Sequence, residues 1–300
     1  MESITQKMVN RILTWVIYIY HGVLRKDIDF GIRILSIEDT LDYMLIPGHS
    51  IVRFGDGEFM LMHDSSIFGY QDFDKKLGAT LKMIALDVNN PNLMICMPEP
   101  MCGVSQYVLQ SRKYWTNQLI KHFEMYQTSV VKGTTYGNSF VSRPYMIYRD
   151  KSHCKAFFEK LKTLFWKRRI LVVEGKFSRL GVGNNLFDEA KSIKRIICPN
   201  RNAYQKYEAI KEATMSSLFD VDLVLVSIGP AGKLLVKELA DQCIWAIDIG
   251  HIDPEYEWFL QNAKTKIKLK NKHTADQSDE GISDCSDSSY SKSIIHIVDG

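Results

Sequence analysis

Residues 223–242 read LVLVSIGPAGKLLVKELADQ, an apolar run followed by a glycine-rich turn and an amphipathic stretch. No polar residue alternates with the aliphatic side chains of residues 223–226, which is typical of a strand buried on both faces. Gly229 and Gly232 bracket the turn, and the helical pattern begins at its end. The stretch therefore predicts one strand–turn–helix unit of a parallel sheet.

The same unit recurs along most of the chain. Strands are predicted at Ser50–Phe54, Leu93–Met97, Ser129–Lys132, Ile170–Val173, Arg195–Cys198, Leu223–Ser227 and Trp245–Ile247. Helices are predicted at Lys75–Val88, Val104–Tyr126, Cys154–Trp166, Asn184–Lys191, Gln205–Ser217 and Gly232–Gln242. This alternation predicts an α/β fold, with a Rossmann-like, mainly parallel sheet covered by helices on both faces.

Three regions differ in composition. We predict an apolar and basic helical segment at 1–34, the α/β domain at 35–265, and a polar, mobile tail at 266–300. The apolar stretch Ile12–Leu24 is shorter than the roughly 20 residues that cross a bilayer. It is therefore expected either to pack on the body of the protein or to make a peripheral contact with an anionic membrane surface.

Bulk composition narrows the classes of partner and compartment. A net charge of +3 over 300 residues gives no strongly basic face, so no nucleic-acid partner is expected. The six cysteines include no C-x-x-C pair, which favours a reducing compartment over a disulfide framework. The expected location is the cytoplasm, at the inner face of the membrane if the N-terminal segment binds there. The oligomeric state is not predicted.

Two glycine-rich loops follow predicted strands, at Gly181–Asn185 and Gly229–Gly232. Each is expected to open a helix, whose free N–H groups and dipole suit a diphosphate, although the same residues also start ordinary helices. Ligands of open parallel sheets bind beyond the carboxyl ends of the strands, where these loops lie. Neither loop has the spacing of a dinucleotide fingerprint or of a P-loop.

Asp56 and Glu58 come directly after the first buried strand. On an extended or turning backbone, residues two apart can point the same way, so both carboxylates could bind one Mn²⁺ or Mg²⁺ ion. Such an ion would bridge the protein to a nucleotide diphosphate. The alternative is an Asp-Gly turn with two solvated acids.

Longer motifs carry a family resemblance. They are IVRFGDGEF (51–59), YGNSFVSRPYM (136–146), VVEGKFSRLGVGNNLFDEAKSIKRIICPNRNAYQKY (172–207), SIGPAGKLLV (227–236) and AIDIGHIDPEYEWF (246–259). Together they resemble the GT-D-fold bacterial glycosyltransferases, formerly a domain of unknown function. Members extend glycans on serine-rich adhesins and related surface polysaccharides from a nucleotide sugar.

The resemblance implies a role for each matching position. Asp56 and Glu58 fall on the family's D-x-E metal motif. The residues implied to contact the nucleotide are Arg53, Arg179, Gly181, Gly183, Asn184, Gly229, Pro230 and Gly232. Arginine pairs well with phosphate oxygens, although either arginine could equally be a structural ion-pair partner.

The proton acceptor is expected in the segment 248–257. Asp248, His251, Asp253 and Glu255 crowd one strand end, and any of them could deprotonate an acceptor hydroxyl. For His251 an ordering hydrogen bond within the loop is the alternative. The aromatic residues Tyr70, Tyr136 and Trp258 are expected to offer a platform to a sugar or a uracil base.

The expected activity is metal-dependent transfer of a hexose from a nucleotide sugar, UDP-glucose or UDP-galactose, to a growing glycan acceptor on a protein or lipid carrier. Two alternatives remain at this point. One is a non-catalytic nucleotide-sugar-binding module of a surface-polysaccharide assembly. The other, disfavoured by the broken fingerprint, is an NAD-dependent oxidoreductase.

Overall fold

The computed structural model describes residues 12, 15–16, 28–63, 71–274 and 279–299. The described residues form a nine-stranded sheet with the order β1-β4-β3-β2-β8-β7-β5-β6-β9, and every paired neighbour runs parallel. The strands are β1 (Arg33–Ile34), β2 (Ser50–Arg53), β3 (Leu93–Met97), β4 (Thr135–Asn138), β5 (Arg169–Gly175), β6 (Ser192–Cys198), β7 (Leu223–Ser227), β8 (Ala246–Asp248) and β9 (Ile294–Ile297).

Helices connect most of these strands. They are α1 (Ile37–Leu45), α2 (Asp56–Met62), α3 (Lys75–Leu86), α4 (Leu109–Lys121), α5 (Phe123–Gln127), α6 (Cys154–Thr163), α7 (Tyr207–Ser216), α8 (Ala231–Asp241), α9 (Ile252–Leu260) and α10 (Ser288–Ser293). Short 3₁₀ turns lie at Glu99–Cys102, Ser139–Ser142 and Ala203–Lys206. Within the described ranges, no helix combines the length and the apolar character needed to cross a bilayer.

The central strands explain why the fold is readable from the sequence. Leu223–Val226 of β7 are all buried, and β7 lies between β5 and β8 in register. A strand with neighbours on both edges and helices over its faces has no solvent-facing side, so its sequence is a continuous apolar run. The predicted parallel α/β fold is confirmed.

Two predicted elements are wrong. Residues 129–134 form a turn rather than a strand, in which the Thr134 N–H donates to Val131 O (3.3 Å), and the strand comes later, as β4. Residues 184–191 form successive turns rather than a helix, because the Asn184 side chain accepts the Leu186 N–H (3.0 Å) and so competes with helical bonding. The long helix predicted at 104–126 begins only at Leu109 and breaks at His122.

The C-terminal region corrects the prediction of a mobile tail. Its described residues include α10 and β9, and β9 pairs with β6 at the edge of the sheet. Lys272 from this region is buried against Asp253. The polar composition of the region does not predict this order, because the order depends on contacts with other segments of the chain, β6 and Asp253.

Little of the predicted N-terminal segment lies within the described residues. Ile12, Trp15 and Val16 are helical and exposed, and the Lys113 ammonium lies 3.0 Å from the centre of the Trp15 ring. The remainder of the predicted stretch Ile12–Leu24 lies outside the described residues, so the choice between packing and membrane contact stays a prediction.

Candidate functional site

The carboxyl ends of β2 and β8 meet in a buried ion pair. The Arg53 Nη2 lies 2.7 Å from Asp248 Oδ1, its Nε donates to the Asp248 carbonyl (2.7 Å), and its backbone N–H donates to Asp248 Oδ2 (3.1 Å). The Arg53 Nη1 donates to the Ser142 hydroxyl. These bonds bind Arg53 within the protein, so its predicted phosphate contact would require breaking them.

Lys233 joins this pair to the predicted metal residues. Its Nζ lies 2.9 Å from Glu58 Oε1 and 3.2 Å from Asp248 Oδ2, and its side chain is only 6% exposed. Burial alone would raise the pKa of the Asp248 carboxyl, but Arg53 and Lys233 outweigh it and hold that pKa below its usual value. Asp248 is therefore a paired carboxylate and a poor candidate for the proton acceptor.

Lys233 is not among the residues predicted for the site, although its position at the start of a helix is unusual for a lysine. Lys233 sits in the first turn of α8, where a cation opposes the helix dipole unless acids compensate for it. Glu58 and Asp248 supply that compensation.

Asp56 and Glu58 lie on a helix, not on the extended backbone assumed from the sequence. They occupy the first turn of α2, where residues two apart are rotated by roughly 200° about the axis. Glu58 Oε2 accepts the Gly55 N–H (2.9 Å), which is the half of a capping box that a glycine N-cap allows. Asp56 accepts a hydrogen bond from the Tyr114 hydroxyl of α4. Two separately held carboxylates thus border the carboxyl edge of β2.

The side chains around Asp56 and Glu58 determine what kind of metal site could form there. Among the described residues, no group of three or more Asp, Glu, His or Cys side chains is arranged to hold an ion. Mg²⁺ and Mn²⁺ commonly use only one or two carboxylates, with water and substrate phosphates completing the shell. Asp56 and Glu58 supply two such carboxylates, but because they leave α2 roughly 200° apart, binding one ion would require their side chains to rearrange and Lys233 to release or share Glu58.

The first glycine-rich loop binds a carboxylate of the chain itself. Asp253 Oδ1 accepts the Gly181 N–H (2.8 Å) and the Asn184 side-chain amide (2.7 Å). The other Asp253 oxygen lies 2.7 Å from Lys272 Nζ. Asp253 is fully buried in this arrangement. The Gly181 amide predicted to contact a phosphate is thus already used, and Asp253 is not placed to meet a hydroxyl.

Gly183 and Arg179 complete the description of this loop. Gly183 has φ +79°, and a Cβ built there would meet open space. Arg179 is 3% exposed and donates to the carbonyls of Asn271 (2.7 Å) and Ser283 (2.9 Å). Its guanidinium therefore fastens the C-terminal region to the domain and faces away from solvent.

The second glycine-rich loop does open a helix, as predicted. Gly229 has φ +64°, Pro230 is the residue before α8, and a Cβ on Gly232 would lie 2.9 Å from a methyl of Val226. Glycine is needed at 232 because the helix start packs directly on β7. Gly229 is exposed, so this N-terminus is open to a ligand.

Glu255 is buried among backbone donors. Its Oε2 accepts the N–H groups of Tyr145 (2.9 Å) and Met146 (2.8 Å), while Oε1 is buried with no partner among the described residues. Burial raises the pKa of the Glu255 carboxyl more than these bonds and the charge of Arg143 lower it. The residue is fully buried, so it anchors the segment after β4 to α9.

His251, like Glu255, has a buried polar atom without a hydrogen-bond partner among the described residues. Its Nδ1 lies 3.5 Å from Arg143 Nη2, and its Nε2 is buried with no hydrogen-bond partner among the described residues. Burial, then the charge of Arg143, lowers the pKa of His251 well below its usual value. The imidazole is therefore neutral at physiological pH, and the Arg143 contact requires its single hydrogen to lie on Nε2, because an arginine nitrogen can only donate.

The predicted aromatic platform is not found in the described residues. Tyr136 and Trp258 are each 1% exposed, and the Trp258 indole N–H donates to the Ile267 carbonyl (3.0 Å). Both are core residues. Tyr70 lies outside the described residues.

Comparison with known proteins identifies the family to which the chain is related. The family model described as the glycosyltransferase GT-D fold matches residues 51–277. The chain is 44% identical over 265 residues to the probable glycosyl transferase Gly of Streptococcus gordonii, and 38% identical over 274 residues to glycosyltransferase GlyD of Streptococcus pneumoniae serotype 4. These alignments cover 88% and 91% of this chain but only 38% and 33% of those proteins.

Solved structures match over nearly their full length. A structure described as a new glycosyltransferase (DUF1792) from Streptococcus sanguinis is 44% identical, with a TM-score of 0.85 and coverage of 89% of this chain and 100% of that one. A second, described as a domain of unknown function 1792, is 38% identical, also with a TM-score of 0.85, and covers 95% of this chain and 99% of that one. The chain belongs to the GT-D fold family of glycosyltransferases.

Proposed function

We propose that this chain transfers a hexose from a nucleotide sugar, UDP-glucose or UDP-galactose, to a growing glycan on a protein or lipid carrier, with the help of Mn²⁺ or Mg²⁺. The observation that carries the proposal is the contact between Lys233 and Glu58. It brings the first turn of α8, the predicted diphosphate site, next to the carboxylates predicted to hold the metal.

The N-terminus of α8 is the proposed binding site for the diphosphate of the donor. The N–H groups of Gly232 and Lys233 already donate to the carbonyls of Gly229 (3.0 Å) and Pro230 (3.1 Å), so the attraction for an anion would come mainly from the helix dipole. Gly229 leaves the approach open, and Lys233 adds a positive charge within the first turn. Of the two predicted glycine-rich loops, this one combines a helix start with an exposed approach.

Asp56 and Glu58 would hold the divalent ion, which would neutralise charge on the departing diphosphate. Tyr114 contributes by orienting Asp56 through its hydroxyl. Lys233 contributes by holding Glu58 in place and by keeping the buried Asp248 ionised and paired. The chain thereby fixes the position of the diphosphate before the reaction, which is how most of the barrier lowering in such transfers arises.

His251 is the proposed proton acceptor for the attacking hydroxyl. Asp248, Asp253 and Glu255 are at most 3% exposed and are held by internal hydrogen bonds, which disfavours them for this role. For His251 Nε2 to take the proton, the ring would have to carry its hydrogen on Nδ1, give up the contact with Arg143 and become accessible to the acceptor.

A screen of nucleotide sugars, with and without Mn²⁺, tests the proposal. We expect one UDP-hexose to be cleaved, slowly to water and faster with a glycan acceptor, and Asp56→Asn to abolish the response to Mn²⁺. Glu212→Gln, an exposed change on α7, is the control and should leave both rates unchanged.

Failure would take two recognisable forms. Binding of a nucleotide sugar with no cleavage under any cation would indicate a binding module instead of an enzyme. Consumption of NAD(H) would indicate the oxidoreductase alternative.

A further inference from the structure

A cavity of about 270 Å³ lies at the carboxyl edge of the sheet, the edge that also carries the proposed donor site. It opens between the start of α1, the turn after β3 and the segment before α6. Its polar lining includes Ser36, Glu38, Glu99, Gln106, Arg149 and His153. Its volume is close to the lower end of ordinary small-ligand pockets, about 300 Å³, so it suits one ring-sized ligand.

The topology sets how far this cavity lies from the metal residues. β3 is the neighbour of β2, with Cys96 opposite Arg53. Glu99 follows the end of β3 by two residues, and Asp56 follows the end of β2 by three. Adjacent strands are about 4.8 Å apart, so the two carboxylates leave the same edge at neighbouring positions. A ligand in the cavity would therefore lie one strand away from the proposed metal carboxylates, at the edge of the sheet that also carries the start of α8.

The charges of the lining select the class of ligand. Glu38, Glu99 and Asp150 face the cavity, against the single guanidinium of Arg149 and the imidazole of His153. A nucleotide diphosphate would be repelled by three carboxylates. A neutral ligand with several hydroxyl groups would instead find acceptors for its donors.

Glu99 is held in place for such a contact. Its Oε2 accepts hydrogen bonds from the hydroxyls of Tyr148 (2.7 Å) and Tyr107, and no donor among the described residues reaches Oε1. Tyr107 is buried, and burial raises the pKa of both tyrosines above the ordinary value, so both remain donors. One oxygen is thus fixed, and the other is available to a ligand.

We propose that this cavity is the subsite for a neutral sugar residue of the acceptor glycan, with Glu99 Oε1 accepting a hydrogen bond from a sugar hydroxyl and Gln106 forming part of the wall. The proposal rests on the proposed function for its choice of acceptor glycan. It adds a place for the acceptor, one strand away from the proposed metal carboxylates.

Saturation-transfer NMR with methyl glycosides of glucose, galactose and N-acetylglucosamine tests the subsite without any turnover. We expect at least one glycoside to bind and UDP, with Mn²⁺ present, not to displace it. Glu99→Gln and Gln106→Ala should each weaken binding about tenfold, because a hydrogen bond to a charged group or a wall contact is lost. The matched changes on the exposed surface of α7 and the turn before it, Glu212→Gln and Gln205→Ala, should leave binding unchanged.

Three results would overturn the subsite: no binding of any glycoside, displacement of the glycoside by UDP, or equal binding in all four variants. A melting curve for each variant identifies loss through misfolding, and Gln106→Ala, at a partly exposed position, provides the second reading if Glu99→Gln does not fold. Glycoside binding that persists while no nucleotide sugar is cleaved would count against the proposed function and not against the subsite.

Discussion

The Lys233 ammonium lies between the carboxylates of Glu58 (2.9 Å) and Asp248 (3.2 Å) and ties three elements of the sheet's carboxyl edge together. These elements are α2, β8 and α8. All three side chains are largely buried, so the contact is a structural support of the site as well as part of its charge.

Replacing Lys233 by Met should destabilise the protein by about 3 kcal/mol, since it leaves two buried carboxylates short of one cation. The measurement is urea unfolding followed by circular dichroism. Lys211→Met is the matched control, because Lys211 pairs with Glu238 at the surface, where such pairs contribute about 0–1 kcal/mol. A loss below about 1 kcal/mol in Lys233→Met would show that Arg53 alone satisfies Asp248.

Tyr114→Phe should lower the apparent affinity for Mn²⁺ in turnover without changing the stability of the protein. Its hydroxyl orients Asp56, and loss of a partner that orients a metal ligand typically costs ten- to a hundredfold in metal affinity. Tyr114 is 43% exposed, so its removal leaves no cavity. The apparent Mn²⁺ affinity is read from initial rates, with Tyr204→Phe as the control. An unchanged Mn²⁺ titration would remove Asp56 from the proposed metal site.

Lys272→Met should destabilise the protein by about 3 kcal/mol, although it lies in the region predicted to be a mobile tail. Lys272 pairs with Asp253 (2.7 Å) and Glu257 (3.1 Å), and Asp253 is fully buried. Lys270→Met, two residues away and exposed, should change stability by less than about 0.5 kcal/mol. Equal unfolding midpoints for the two variants would show that Lys272 does not stabilise the domain, as predicted for a mobile tail.

The success and failure of the sequence reading have a common physical cause. β3 and β7 were predicted with their observed bounds because strands buried on both faces leave an apolar run. β9 was missed because an edge strand is half exposed and its sequence is mixed. Glu58, Asp248 and Asp253 were located by their position after strands. Their partners, Lys233 for the first two and Lys272 for Asp253, were not, since pairing between distant segments leaves no local pattern.

Glu255→Gln should change how stability depends on pH. Burial raises the pKa of Glu255 above its usual value of 4.5, so the folded protein holds more protons than the unfolded chain between that value and the raised one. Stability therefore falls as the pH rises through this window. The glutamine side chain keeps the acceptor for Tyr145 and Met146 and carries no charge. The stability of Glu255→Gln relative to the unmodified protein should therefore rise from pH 4.5 to pH 8.

Urea unfolding of both proteins from pH 4.5 to pH 8 measures this difference. Glu212→Gln serves as the control, because its carboxylate is exposed and its loss should leave the pH dependence parallel to that of the unmodified protein. If the free energy of unfolding of Glu255→Gln also changes with pH in parallel with that of the unmodified protein, burial does not raise the pKa of Glu255.

His251 links the pH dependence of stability to that of turnover. Because burial holds the pKa of His251 well below 6.5, the folded protein keeps the imidazole neutral while the unfolded chain protonates it near that value. Its contribution to stability is present above pH 6.5 and is lost as the pH falls below it. Turnover should nevertheless stay constant through pH 6.5, since the folded imidazole remains a competent proton acceptor there.

His251→Gln should lower kcat by about a hundredfold or more if the imidazole takes the proton, and the acidic limb of the residual rate should shift or vanish. His296→Gln is the control, since His296 is an exposed residue of the edge strand β9. An acidic limb near pH 6.5 in the unmodified enzyme would show that the reacting base is an ordinary solvated group. A hundredfold loss of rate with the same limb in His251→Gln would instead show that His251 orders the loop through Arg143 and that another group accepts the proton.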